Sequence, residues 1–298
     1  MTGVRLLDGG MGRELKRVGA PFRQPEWSAL ALIEGPHFVT QAHQSFIDAG
    51  ADIITTNSYA VVPFHIGQDR FDAQGRALAA LAGRLARDAA DAAPRKVTVA
   101  GSLPPALGSY RPDLFDETAS VAIHRELIAG LAPHVDVWLA ETQSSIAEIK
   151  AARTALGDDP RPFWVSFTLD DEPSDGPALR SGEAVADAAR DAIGLGVSAI
   201  LFNCSQPEVM AAAITAARTA ITADRGDRSI EIGVYANAFP PTPKNAEANV
   251  TLDELRPDLT PANYARWAQG WAERGAAIIG GCCGITPDHI AALRDHLR

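Results

Sequence analysis

The sequence predicts an α/β chain folded as a single (β/α)8 barrel, and three observations carry that prediction. Eight short apolar runs recur along the 298 residues, each suited to a strand buried on both faces. Ala-rich stretches with helical spacing separate them. Glycine recurs where a helix hands over to the next strand. An open, doubly wound sheet is the alternative way to arrange such units. Eight repeats in a chain of this length favour the closed barrel.

The first four runs are VRLLDGG (4–10), ADIITTNS (51–58), KVTVAGSL (96–103) and VDVWLAET (135–142). The second four are FWVSFTL (163–169), SAILFNCS (198–205), IGVYANAF (232–239) and AAIIGGCCG (276–284). Between them, DAQGRALAALAGRLARDAADAA, SIAEIKAARTAL and GEAVADAARDAIGLG carry helical periodicity. In DAGADIITT, GLGVSAILF and ERGAAIIGG a glycine stands just past a helix end, where a left-handed cap is expected. Thr286 and Pro287 read as N-cap and first residue of the last helix, which places His289 on its surface. No linker divides the chain, so one domain over 1–298 is expected. The longest breaks, DDEPSDGP (170–177) and PPTPKNAEANV (240–250), each follow a strand and read as solvated loops.

Composition narrows the partners. Apolar residues at 46% and charged residues at 21% are ordinary for a soluble globular protein. Lys plus Arg total 27 against 37 Asp plus Glu, a net charge of −10 that argues against nucleic-acid and anionic-membrane partners. The segment MTGVRLLDGGMGREL lacks the apolar core of a signal peptide, and no stretch reaches the roughly 18 apolar residues of a membrane span. Three cysteines suit a reducing compartment better than a disulfide scaffold. The expectation is a cytoplasmic monomer or small homo-oligomer that acts on small molecules.

In a barrel of this kind the chemistry gathers at the C-terminal strand ends. Those positions hold Asp8, Gly9 and Gly10, then Asn57, Ser58 and Tyr59, then Glu141 and Thr142. Ser166 and Thr168, Asn203 and Cys204, Tyr235 and Asn237 follow, and Cys282 and Cys283 end the eighth run. All three cysteines therefore fall on one rim. A disulfide between Cys282 and Cys283 would need a strained eight-membered ring. A nucleophilic thiol would need a base, and no histidine occupies a strand end. A metal accounts for the set better, because zinc prefers thiolates, and three protein ligands leave an open catalytic position. Adjacent strand residues point to opposite faces. Cys282 and Cys283 can share a metal only if the backbone leaves strand geometry, which Gly280, Gly281 and Gly284 permit.

Charge then selects the reaction. Three thiolates on Zn2+ leave the site with a single negative charge, a poor activator of water. A substrate thiol in the fourth position would instead be held as a nucleophilic thiolate. Its natural electrophile is a cationic alkyl donor.

At these residues the chain resembles the homocysteine S-methyltransferase family. The matching segments are LLDGGMGREL (6–15), AGADIITTNSY (49–59), VDVWLAETQSSIAEI (135–149), FNCSQPE (202–208), VYANAFPP (234–241) and IIGGCCGITPDHIAAL (278–293). WVSFTLDDEPSDGPALRSGE (164–183) resembles the branch that uses S-methylmethionine or S-adenosylmethionine. The resemblance implies a (β/α)8 barrel with zinc on Cys204, Cys282 and Cys283. It implies that Asp8 and Glu141, with the Gly9 amide nearby, hold the amino-acid part of homocysteine. Asn57, Tyr59, Ser166 and Asn237 are candidates for the open metal position or the donor pocket, with hydrogen-bonded rim structure as the other reading of each. Folate and cobalamin modules do not fit in this length, and the C-terminal extension of betaine-using relatives is lacking, so a small onium donor is expected. Betaine or another sulfonium, and selenocysteine or another thiol acceptor, are the alternatives within this chemistry. From other classes, a phosphate- or flavin-binding barrel built on GGCCG and a non-enzymatic zinc or thiol sensor also stand.

Overall fold

The computed structural model describes residues 3–224, 229–241 and 254–298. Its strands are β1 (Arg5–Leu6), β2 (Ile53–Thr55), β3 (Thr98–Leu103), β4 (Val137–Gln143), β5 (Phe163–Phe167), β6 (Ala199–Asn203), β7 (Glu231–Tyr235) and β8 (Ile278–Ile279). They form one parallel sheet in the order β1-β8-β7-β6-β5-β4-β3-β2. The two ends meet at a parallel bridge between Leu7 and Ile53, where the Asp8 amide donates to the Ile53 carbonyl at 3.0 Å. The predicted barrel is the observed fold.

Helices α1 (Met11–Arg17), α2 (Ala29–Glu34) and α3 (Pro36–Ala49) lie between β1 and β2. α4 (Pro63–Ile66) and α5 (Gln68–Asp91) follow β2, and α6 (Glu117–Leu131) follows β3. α7 (Ile146–Leu156), α8 (Val185–Gly194), α9 (Pro207–Ala223), α10 (Pro261–Glu273) and α11 (Pro287–Leu297) complete the outer layer. Gly50, Gly196 and Gly275 take φ of 120°, 77° and 97°, the left-handed helix exits the sequence predicts.

The period-two alternation of the strands decides what enters the barrel. Leu7, Ile53, Ala100, Val137, Leu139, Trp164, Ala199, Leu201, Tyr235 and Ile278 form the inner core, with Cys282 packed on it. Two residues further along the same inward rows stand Glu141 after Leu139, Asn203 after Leu201 and Ser166 after Trp164. The apolar plug is thus capped by a polar layer with no change of face.

The first and last strands are shorter than the apolar runs suggested. Beyond Leu6 and Ile279 the regular strands end and pairing continues only through single hydrogen bonds, with the two rims touching each other. A Cβ on Gly280 would lie 2.6 Å from Leu7 Cβ, and one on Gly10 would lie 2.7 Å from the Cys282 carbonyl oxygen. Loop 170–177 is exposed or half-exposed along its length, as expected, but the Asp171 side chain is buried. Most of the 240–250 break lies outside the described residues. Thr286 caps α11 as predicted, but His289 is buried rather than on the surface. Its Nδ1 accepts from the Thr286 amide at 3.2 Å, which leaves Nε2 to donate to the Leu259 carbonyl at 3.0 Å.

Candidate metal centre and substrate pocket

Cys204 follows the last residue of β6 with φ at +48°, so the chain leaves β geometry at the cysteine itself. For a residue with a side chain this conformation costs about 1–3 kcal/mol, and such strain concentrates at functional positions. The GGCC turn is pinned from both sides. Gly281 donates to the Asp8 carbonyl at 2.9 Å, Cys282 to Ala236 at 2.9 Å, and Ala238 donates to Cys283 at 2.9 Å. From α10, the Tyr264 hydroxyl donates to the Gly280 carbonyl at 2.7 Å. Of the turn's glycines only Gly284 has positive φ, at +86°. Gly281 is needed for space, since its Cβ would lie 2.1 Å from Ile285 Cγ2. The glycines therefore act more by close approach than by backbone freedom.

The three sulfurs converge, all within 4.8 Å of one another. Cys204 and Cys282 are joined as a disulfide, and Cys283 Sγ lies 4.0 Å from Cys282 Sγ. Three soft donors gathered from β6 and the β8 rim fit a thiophilic metal such as zinc once that bond is reduced. Asn203 steadies the group. Its Oδ1 accepts from Ser166 Oγ at 2.7 Å, its Nδ2 donates to Thr142 Oγ1 at 2.9 Å, and Nδ2 lies 4.0 Å from Cys282 Sγ.

Beside the sulfurs stand two buried carboxylates. Asp8 accepts from the Thr55 amide at 2.7 Å and from Thr55 Oγ1 at 3.2 Å. Glu141 accepts from Ser102 Oγ, and from the Tyr235 hydroxyl at 3.5 Å. Burial pushes the Asp8 carboxyl up to about 8, with the charge of Glu141 adding to the rise. Burial likewise raises Glu141 to about 7, against the two hydroxyls that favour its charged form. Neither carboxylate forms an ion pair among the described residues. Two desolvated acids sharing one site without a cation make a receptor for an ammonium group.

The structure brings Asp8, Glu141, Tyr59 and the three cysteines to one mouth. Tyr59 hydrogen-bonds Ser109, and burial, with the charges of Glu141 and Cys283 nearby, holds its hydroxyl well above the usual phenol range. Gly9 leaves no room for a side chain, since a Cβ would lie 2.5 Å from the Ile285 carbonyl oxygen. Asn57 and Asn237 are engaged in the scaffold. Asn57 Nδ2 donates to the Ser28 carbonyl at 3.1 Å, and Asn237 Oδ1 accepts from the Phe239 amide at 3.2 Å. Sequence reasoning missed Thr55 and Ser102, which hold the two acids, and Tyr110, Asp171 and Arg180. The inward row of β3 pointed to Ser102; Tyr110 and Arg180 lie in loops that carry no periodic signal.

A family model described as homocysteine S-methyltransferase matches residues 5–297. The homocysteine S-methyltransferase of Escherichia coli (strain K12) is 32% identical over 309 residues, covering 98% of this chain and 94% of that protein. The selenocysteine methyltransferase of Astragalus bisulcatus is 26% identical over 328 residues, covering 97% and 90%. Among solved structures, the metallated form of the E. coli homocysteine methyltransferase MmuM matches with a TM-score of 0.79 at 30% identity, over 98% of this chain and 96% of that one. The oxidised form of the same protein also matches at 0.79, with 29% identity, over 98% and 95%.

Proposed function

This chain belongs to the homocysteine S-methyltransferase family and methylates the homocysteine thiol, and on that premise we propose that its metal is Zn2+ and its donor a sulfonium, S-methylmethionine or S-adenosylmethionine. The observation that carries the metal assignment is the convergence of Cys204, Cys282 and Cys283 within 4.8 Å. When bound there, the ion lowers the pKa of the acceptor thiol and keeps it as thiolate at neutral pH.

The protein's own residues do the rest. Asp8 and Glu141 take the homocysteine ammonium between them, which draws both into their charged forms and fixes the sulfur toward the cysteines. Ser102, Tyr235 and Thr55 keep the two carboxylates in place. In the transfer, the acceptor sulfur's lone pair forms the new C–S bond. The donor's C–S bond breaks, and its electron pair leaves with the donor sulfur as a neutral thioether. The charge on both partners falls together, so a low-dielectric mouth favours the step. A selenol acceptor suits the same site, a reading supported by the relative whose name specifies selenocysteine.

The test is metal content and turnover measured side by side on reduced protein. One zinc per chain and methionine formation from homocysteine are expected, both lost in Cys204→Ala. A Cys204→Ala protein that loses zinc but still makes methionine would sink the mechanism.

A further inference from the structure

A buried pair of opposite charges stands at the barrel mouth, apart from the two acids Asp8 and Glu141. Asp171 and Arg180 have side chains 3% and 5% exposed, with 3.9 Å between Arg180 Nη1 and Asp171 Oδ2. Both come from the segment between β5 and α8. The Arg180 amide donates to the Thr168 carbonyl at 3.1 Å, directly above β5. Asp171 Oδ1 accepts from the Gln206 amide at 2.8 Å, two residues beyond Cys204. The Arg180 guanidinium lies over the Tyr110 ring, 5.1 Å from its centroid. Tyr110 is held at φ +65°, and both it and Tyr59 lie within the field of the Cys283 thiol. These residues come from the loops after β2, β3 and β5, and Asp171 ties them to the loop after β6 that carries Cys204.

Burying such a pair is expensive, and well-packed apolar residues would often serve stability as well or better. The pattern has a ligand complement. A guanidinium fork binds a carboxylate bidentately, and a carboxylate beside it binds an ammonium. Together they match the head group of an α-amino acid. The homocysteine ammonium is already assigned to Asp8 and Glu141, so this second receptor belongs to the other substrate. Between it and the sulfurs, the Tyr59 and Tyr110 rings offer π faces to a cation.

We propose that Asp171, Arg180 and Tyr110 select the methyl donor, admitting a sulfonium that carries its own α-amino-acid head group and discriminating against onium donors without one. This rests on the functional reading above and deepens it. Arg180 takes the donor carboxylate and Asp171 the donor ammonium, and the aromatic pair lies along the sulfonium. The residues act on binding and placement, leaving bond making to the reacting sulfurs.

The experiment is calorimetric binding of S-methylmethionine to the full-length, zinc-loaded protein, comparing wild type with Arg180→Met, Arg180→Lys and Asp171→Asn. Homocysteine affinity and circular dichroism are measured on the same preparations, and turnover is followed in parallel. Arg180→Met is expected to weaken S-methylmethionine binding about 100-fold, Arg180→Lys to recover part of it, and Asp171→Asn to weaken it about 10-fold, with homocysteine affinity and zinc content unchanged. Undiminished S-methylmethionine binding in Arg180→Met, or an equal loss of homocysteine affinity, would overturn the proposal. If Arg180→Met does not fold, the Lys and Asn variants carry the same comparison. A wild type that binds S-methylmethionine through Arg180 but forms no methionine would overturn the functional reading while upholding the pocket.

Discussion

Glu141, which the proposed function sets against the homocysteine ammonium, carries a cost in stability. Burial holds its pKa near 7 in the folded protein, far above its value in an unfolded chain. The unfolded chain therefore gives up this proton first as pH rises, and the folded state loses stability between the two values. Glu141→Gln removes that penalty together with the ammonium partner. The expected outcome is a higher melting temperature at pH 8, and a KM for homocysteine raised about 10- to 100-fold with kcat changed far less. Steady-state kinetics and a thermal melt check both; an unchanged KM would remove Glu141 from the acceptor site. His43 makes the opposite case. It is fully buried on α3, neither ring nitrogen has a hydrogen-bond partner among the described residues, and burial depresses its pKa to about 4. Its share of stability is present above the unfolded value of about 6.5 and is lost as pH falls toward 4. His43→Phe is expected to reduce the loss of melting temperature between pH 6.5 and pH 4.

At the scale of elements, the metal centre depends on two rims touching. Gly10 immediately precedes α1 and faces the backbone of the GGCC turn, where a Cβ would lie 2.7 Å from the Cys282 oxygen and 3.2 Å from Cys283 Cα. Gly10→Ala must push the turn away from β1, because backbone, unlike a flexible side-chain end, has little freedom to yield. We expect zinc content to fall well below one per chain while circular dichroism shows the barrel intact; full metal occupancy would show that the turn adapts. The β4–α7 junction is secured differently. Ser145 caps α7 and Glu148 accepts from the Ser144 and Ser145 amides, a capping box that fixes the chain a few residues beyond Glu141. Capping boxes are visible in sequence, and S-x-x-E in SSIAEI is one. The Gly10 contact is not visible there, because its partners are 272 and 273 residues away along the chain.

Across the whole molecule, the inner plug supports the mouth above it. Leu201 is fully buried inside the barrel, two residues before Asn203 on the same row. Leu201→Ala is expected to cost about 2–5 kcal/mol and to lower the melting temperature by roughly 5–15 °C. The three raised carboxyls act together on the pH profile. Asp8 near 8, and Glu141 and Glu148 near 7, each draw stability down as pH climbs from about 4 toward 8. On the proposed function homocysteine would reverse this for Asp8 and Glu141 by supplying the cation, so its stabilising effect in a thermal shift assay is expected to be larger at pH 8 than at pH 6. The reverse order would mean that the acids bind no ammonium.

The amino-acid sequence by itself determined the alternation of eight strands with helices, the glycine exits, the placement of all three cysteines on one rim and the acidic strand ends. Each of these is a local signal, carried by periodicity, by backbone freedom at one residue or by position within one strand. Only the tertiary structure decided which polar groups meet. Asp8 reaches Thr55, Glu141 reaches Ser102 and Tyr235, and Asn57 and Asn237 turn into the scaffold instead. The same holds for the short β1 and β8, the burial of His289, and the Asp171–Arg180 pair over Tyr110. Closing the barrel sets these distances, because it brings together strand ends far apart in the chain, and no local pattern encodes how deeply the closure buries a charge.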